Sequence, residues 1–346
     1  MVALAPVKSR QLIRNSGYGY SVYALVFVLL CTFFLGLRPI DPFFVDTVEY
    51  AKAYEVIGSK PSSYFLSGDI LFRLGTLLLS SMGLSTHAYF LLIETIYISG
   101  FTYLAYRMFH RNMGIALIGL MSTFSFYAYG TNGIRNGLAL SVMLVAVYIH
   151  YAQPGRWILA AILGLWALGT HISSALILAA YIASRQSRRS ELFYCFWALC
   201  LLLSLFLGRT LEQLVIGTGV LGNWRSEEYL SGAYHDLKKF SVIGYRWDFL
   251  LYSLPPILWS WYWLKVRKFD ESGYNLLVRL YLICNGVWLL AIQNFLSDRI
   301  AALSWMLQAF VLIYPLLKEP RVAYRKWLIA GVTVQNLVFS YIYKVL

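Results

Sequence analysis

Residues 36–50 read GLRPIDPFFVDTVEY and hold Arg38, Asp41, Asp46, Glu49 and Tyr50. They follow SVYALVFVLLCTFFL, a run without a charge. A carboxyl beside an apolar wall is partly desolvated, which raises its pKa toward that of a useful general base. Asp46 is the first candidate for catalysis. Asp41 stands between Pro39 and Pro42, in chain that reads as extended and exposed, and Glu49 can equally be a solvated loop charge. The run Asp46-Thr-Val-Glu-Tyr50 can open a helix with Asp46 as its N-cap, which sets Tyr50 over the same face. Base and cap are therefore both open roles for Asp46.

A second set of residues is cationic. His87, Arg135, His171, Arg246 and Arg299 stand near the predicted N-termini of helices. Such an end carries roughly +0.5 of an elementary charge and free N–H groups, so a cation is unfavourable there unless an anion is present. Thr131-Asn132, Thr170 and Ser297 are the expected caps before Arg135, His171 and Arg299. Arginine at a helix start makes a site for phosphate. The alternative is a local ion pair, for which Asp248 near Arg246 and Asp298 beside Arg299 are available. His171 lies in GTHISSAL, where small polar residues predict a break, and broken helices at membrane depth line cavities. It is the second candidate base. Glu94, alone in an apolar run, is expected to neutralise Arg73 or Arg135. Tyr50, Tyr54, Tyr64, Trp224, Tyr229, Tyr234, Tyr245 and Trp247 read as an interfacial belt, with some rings available to stack on sugars.

The elements that must position these residues are membrane helices. The chain of 346 residues is 59% hydrophobic and 13% charged, with mean hydropathy +0.62; a soluble globule carries about a quarter charged residues. Apolar segments fall near 21–37, 66–83, 88–106, 113–128, 133–151, 156–184, 191–208, 247–264, 275–293, 299–317 and 327–344. The expected fold is an all-α polytopic transmembrane bundle of about 11 spans plus a half-helix, with the N-terminus cytoplasmic and the first helix uncleaved. Cys31, Cys195, Cys200 and Cys284 all fall in apolar spans and predict neither a disulfide nor a metal site. No nucleotide-binding or serine-hydrolase motif and no repeat is found.

Loop charge sets the sides. Segment 66–83, interrupted by Asp69 and Arg73, is either a half-helix or a full span, and 156–184 is either a hairpin turning at His171 or one crossing. The half-helix and hairpin place Arg107, Arg111 and Arg156 in the cytoplasm and satisfy the positive-inside rule; the other arrangement puts them outside. The net charge of +13 is thus a topology signal and an attraction to anionic lipid, not a sign of nucleic acid. The expectation is one integral membrane domain with external loops at 38–87, containing the half-helix, and 209–246.

Arg38 and Asp46-Thr-Val-Glu-Tyr50 after the first span, Ile134-Arg-Asn-Gly-Leu-Ala at a helix start, His171-Ile-Ser173 at a turn and Asp298-Arg299 at a late helix start together resemble the EpsG family of Wzy-like polysaccharide polymerases, which make O-antigen, capsule or exopolysaccharide. In that family the mid-chain pair usually reads Arg-Gln; here it is Arg135-Asn136. The resemblance implies a glycosyltransferase of the bacterial cytoplasmic membrane, with its site facing the periplasm or exterior. It would move a growing glycan from polyprenyl pyrophosphate onto the sugar of an incoming lipid-linked repeat unit. It also implies catalytic Asp46 and His171, substrate contacts from Arg38, Tyr50, Arg135, Asn136, Ser173, Arg225, Asp298 and Arg299, and no metal or cofactor. Its partners would be lipid-linked oligosaccharides and membrane lipid, with a chain-length regulator and a flippase of the same pathway. A polyprenyl-phosphate-sugar-dependent transferase and a flippase of lipid-linked sugars are the alternatives; clustering of charge at one face and the lack of a repeat count against the flippase.

Overall fold

The computed structural model describes residues 18–57, 69–217, 244–293, 297–319 and 322–343. Every regular element among them is helical. The helices are α1 (Tyr18–Gly36), α2 (Val45–Ile57), α3 (Ile70–Ser81), α4 (Thr86–Phe109), α5 (Met113–Met121), α6 (Phe124–Thr131), α7 (Ile134–Ala152), α8 (Trp157–Thr170), α9 (Ser174–Gln186), α10 (Ser190–Gly217), α11 (Trp247–Trp261), α12 (Ser272–Leu290), α13 (Ser297–Lys318) and α14 (Arg325–Ile342). Among the described residues five stretches are long and apolar enough to cross a bilayer: Thr86–Met121, Ile134–Ala152, Ser190–Gly208, Ser272–Leu290 and Ser297–Lys318. Val22–Gly36 and Ile70–Ser81 are shorter apolar helices.

The centre of the bundle is α13, which packs against α5, α6, α11, α12 and α14. Its Trp305 is fully buried among Phe124, Phe249, Tyr252 and Trp288 and donates from Nε1 to Ser253 Oγ at 2.7 Å. Asn285 accepts from Trp197 Nε1 at 2.8 Å and donates to Ser304 Oγ at 3.1 Å. Such bonds satisfy the polar groups that an apolar medium makes costly to leave alone. Outward faces are apolar, as on α1 (Leu30, Phe34), α8 (Leu165) and α10 (Phe206), which suits contact with lipid tails.

Segment 156–184 is two helices, broken at His171. His171 is extended (φ −161°, ψ 131°). Thr170 Oγ1 donates back to Trp166 O at 2.8 Å, and Ser174 Oγ donates to His171 O at 2.9 Å. These short polar side chains supply the hydrogen bonds the interrupted ladder gives up. Both halves lie on α7. Ser173 meets Asn136 near the start of α7, and His150 near its end meets Tyr181 at 2.7 Å. Thus α8 runs back along α7 and α9 returns beside it: a hairpin with residues 171–173 at its tip.

The helix α3 is short, as the half-helix reading of 66–83 requires, and it rests on α2 and α8. The approach to α8 is close: a Cβ at Gly169 would lie 2.6 Å from Leu71 Cδ1. That contact brings Asp69, at the head of α3, to the tip of the hairpin.

Candidate active site

The turn before α2 is organised by Asp41. Its Oδ1 accepts from Phe43 N at 2.8 Å and its carbonyl from Phe44 N at 2.9 Å. This is a side-chain turn of the kind short acids form. The helix therefore starts at Val45, two residues earlier than a cap at Asp46 would require, and Asp46 lies in its first turn. There Asp46 Oδ2 accepts from Arg299 Nη2 at 3.0 Å, and both side chains are part-exposed.

One turn further along α2, Tyr50 accepts from Arg135 Nε at 3.2 Å, with the Arg135 guanidinium 5.6 Å from its ring centroid. Burial pushes the Tyr50 phenol pKa up, against the lowering effect of Arg135 and Arg299, and Asp46 pushes it up further. The phenol keeps its proton and stands within electrostatic reach of both arginines and Asp46.

Arg135 also donates from Nη1 to Asp69 Oδ2 at 2.6 Å. Asp69 is the N-cap residue of α3, yet its side chain makes no capping bond and its backbone is left-handed (φ 61°). A capping bond is worth about 1 kcal/mol, and a non-glycine residue in that region is strained. The carboxylate turns away to meet Arg135. The same oxygen lies 4.0 Å from His171 Nε2.

The His171 tautomer follows from its other nitrogen. Ser173 N, a fixed donor, points at Nδ1 from 3.1 Å, and Ser173 Oγ lies 2.8 Å from it. Nδ1 therefore accepts, and we assign the ring proton of neutral His171 to Nε2, facing Asp69. In this form His171 is a donor toward the site. Ser173 Oγ also lies 3.4 Å from Asn136 Oδ1, which ties the hairpin tip to α7.

Asp46–Arg299 and Tyr50–Arg135–Asp69–His171–Ser173–Asn136 thus form two chains of contacts that α2 joins into one cluster at one end of the bundle. Tyr129 of α6 braces it. Its hydroxyl donates to Arg299 O at 2.6 Å, while its own backbone carbonyl would lie 2.8 Å from a Cβ at Gly137 in α7. The starts of α7 and α13, which carry the two arginines, are locked together through this residue.

Other expected residues lie elsewhere. Arg38 is 3% exposed. Its guanidinium donates to Thr47 Oγ1 at 2.9 Å, Leu35 O at 2.6 Å, Glu94 Oε1 at 3.3 Å and Thr131 O at 3.4 Å, and covers the Phe90 ring. It is a buried strut under the site. Glu94 accordingly neutralises Arg38, in place of the Arg73 or Arg135 expected. Asp298 adjoins Arg299 at the start of α13 and stands within electrostatic reach of both Arg299 and Arg246. Arg246 is held by Asp248 through bonds of 3.0 and 2.7 Å, a local pair. His87 is exposed on α4. Arg225, Tyr64, Trp224, Tyr229 and Tyr234 lie outside the described residues.

The caps also differ from expectation. Thr131 ends α6 and bonds back to Tyr127 O at 2.8 Å, so Gly133 precedes α7. Thr170 ends α8, and Ser173 precedes α9. The residue of this cluster that the motifs missed is Asp69; its one signal in the sequence is an acid interrupting an apolar run just before Ile70.

A family model describing the EpsG family matches residues 21–346, nearly the whole chain. The chain belongs to the EpsG family. Members are Wzy-like polymerases, and the family is associated with polysaccharide polymerisation. Comparison with curated proteins and with solved structures finds no match. The EpsG-family assignment and the apolar helices make this a membrane protein of polysaccharide biosynthesis.

Proposed function

We propose that this EpsG-family protein joins repeat units carried on polyprenyl pyrophosphate, outside the cytoplasmic membrane. The acceptor sugar's hydroxyl oxygen attacks the anomeric carbon of the donor glycan. A C–O glycosidic bond forms while the anomeric C–O bond to the diphosphate breaks, and its electron pair leaves with the diphosphate. Asp46 takes the hydroxyl proton. Arg135 and Arg299 hold the diphosphate and stabilise the charge developing on it, as fixed cations at a leaving group do. His171 presents Nε2–H to the same anion, and Tyr50 orients Arg135. Asp46 rather than His171 is the base, since Nδ1 of His171 is already occupied as an acceptor.

The observation that carries this reading is the convergence of two arginines from separate helix starts on one short helix bearing a carboxylate and a phenol. It is supported by the family's association with polymerisation. The test is purified protein in lipid, given a defined polyprenyl-diphosphate-linked repeat unit. A ladder of lengthened glycans and free polyprenyl diphosphate is expected. Transfer of single sugars from a polyprenyl monophosphate donor, without a ladder, would overturn it.

A further inference from the structure

The two arginines assigned to the diphosphate already hold anions. Arg299 is paired with Asp46 at 3.0 Å and Arg135 with Asp69 at 2.6 Å. Each acid comes from a different element, α2 and the head of α3, and Tyr50 accepts from Arg135 and stands within electrostatic reach of Asp46 and Arg299. Neither pair is sealed: Arg299 is 35% exposed and Arg135 27%, whereas the strut pair Arg38–Glu94 is 3% and 1% exposed. An accessible ion pair can be exchanged; a sealed one cannot without exposing a charge to low dielectric. Asp69 further gives up its capping bond and adopts a left-handed backbone to reach Arg135.

We propose that Asp46 and Asp69 are resident counter-anions of a two-arginine diphosphate site, displaced when the substrate diphosphate arrives. This rests on the lipid-diphosphate reading above and deepens it. The exchange has three consequences. A diphosphate offers two phosphoryl groups, one for each arginine, and each makes a stronger multidentate pair than a carboxylate does. Asp46 Oδ2, once released from Arg299, is free to accept the proton of the acceptor hydroxyl when donor is bound. Asp69, once freed from Arg135, stays beside His171 Nε2–H and orients that donor. The base is held in check until a leaving group is present. Asp69 is a positioning residue here: it acts through Arg135 and His171.

The exchange is testable without turnover. Inorganic pyrophosphate binding is measured by calorimetry on the protein in nanodiscs, for wild type, Asp46→Asn, Asp69→Asn and Asp69→Ala. Glu49→Gln is the control, because Glu49 lies on α2 but is paired with Lys52 at the exposed surface. Removing a competing carboxylate should tighten pyrophosphate binding by about tenfold, the size of one charge-assisted bond. Glu49→Gln should change it by less than about twofold, since exposed charges are screened. Orthophosphate, with one phosphoryl group, should bind more weakly than pyrophosphate in every form. Infrared difference spectra with ¹³C-aspartate should show carboxylate bands shifting on pyrophosphate addition, with part of the shift lost in each Asn variant. Unchanged or weaker binding in Asp46→Asn and Asp69→Asn, or absence of the aspartate bands, overturns the exchange. That result with glycan ladders intact leaves the polymerase reading standing; tightened binding without any ladder from wild type overturns the polymerase reading alone.

Discussion

Arg299 Nη2 and Asp46 Oδ2 are 3.0 Å apart, although 253 positions separate them in the chain. The pair fastens the start of the central helix α13 to the first turn of α2. Arg135 makes the equivalent contact from α7. Replacing either by Lys keeps the charge but loses the planar fork. Arg299→Lys and Arg135→Lys should each retain a small part of polymerisation, and the Ala variants on the order of a hundredth or less. Polymer yield from purified protein checks this; normal polymer from both Ala variants would remove the anion site.

Asp46→Asn separates base from structural residue. Asp46 is not the cap of α2, so the helix should survive the change. Loss of a general base costs on the order of a hundredfold or more in rate. Turnover should fall by that factor while thermal stability stays within a degree or two of wild type, because the pair it loses is part-exposed and worth about 1 kcal/mol or less. Near-normal turnover would move the base to His171.

The strut beneath should behave in the opposite way. Arg38 and Glu94 are nearly sealed from solvent, and Arg38 holds Thr47, next to Asp46, together with Thr131 O. Deleting one partner of such a pair costs roughly 3–5 kcal/mol. Arg38→Ala and Glu94→Ala should lower the melting temperature sharply, and Glu94→Gln, which keeps an acceptor for Arg38, much less. Thermal unfolding in detergent measures all three. An Arg38→Ala protein with unchanged stability and altered affinity for substrate would return Arg38 to the binding site.

The hairpin makes a topological prediction. Ile172 lies at its tip, 70% exposed, while Gly155 lies in the turn between α7 and α8 at the other end. In a background lacking the four native cysteines, Ile172→Cys should label from outside the cell with an impermeant maleimide. Gly155→Cys should label only after permeabilisation. Labelling of both from one side would mean that α8 does not cross.

Much of this was legible in the sequence, and the failures share a cause. The all-helical class, the short α3 and the break at His171 follow from local composition: apolar runs make helices, and Gly-Thr-His-Ile-Ser-Ser supplies side chains that bond to backbone. Tyr50 over the face of Asp46 follows from helical period. Pairings did not follow. Glu94 takes Arg38, 56 positions away, and Asp69 takes Arg135, 66 positions away. A charge in an apolar run announces that it needs a partner, but only packing decides which. Caps failed for a related reason: Thr131 and Thr170 bond backward into the helix they end, leaving Gly133 and Ser173 to open the next.

Gly137 tests whether the two arginines must be held at fixed separation. It lies in the first turn of α7, two residues after Arg135, with no side chain to bind anything. A Cβ there would stand 2.8 Å from Tyr129 O and 3.1 Å from Tyr97 Cε2. The first is backbone and cannot swing aside, so Gly137→Ala must push α6 away from α7. Tyr129 is also the residue whose hydroxyl holds Arg299 O at 2.6 Å. The displacement should therefore reach the start of α13 and widen the gap between Arg135 and Arg299. Alanine favours helix over glycine by up to about 1 kcal/mol, so propensity alone predicts a gain in stability. Steric conflict predicts a loss of about 1–3 kcal/mol. Gly137→Ala should melt at lower temperature than wild type and lose at least about tenfold in polymerisation. Tyr129→Phe, which removes the bond to Arg299 O without any clash, should lose activity with a smaller change in stability. If Gly137→Ala is more stable and fully active, α6 yields without cost and the spacing of the arginines is not fixed through Tyr129.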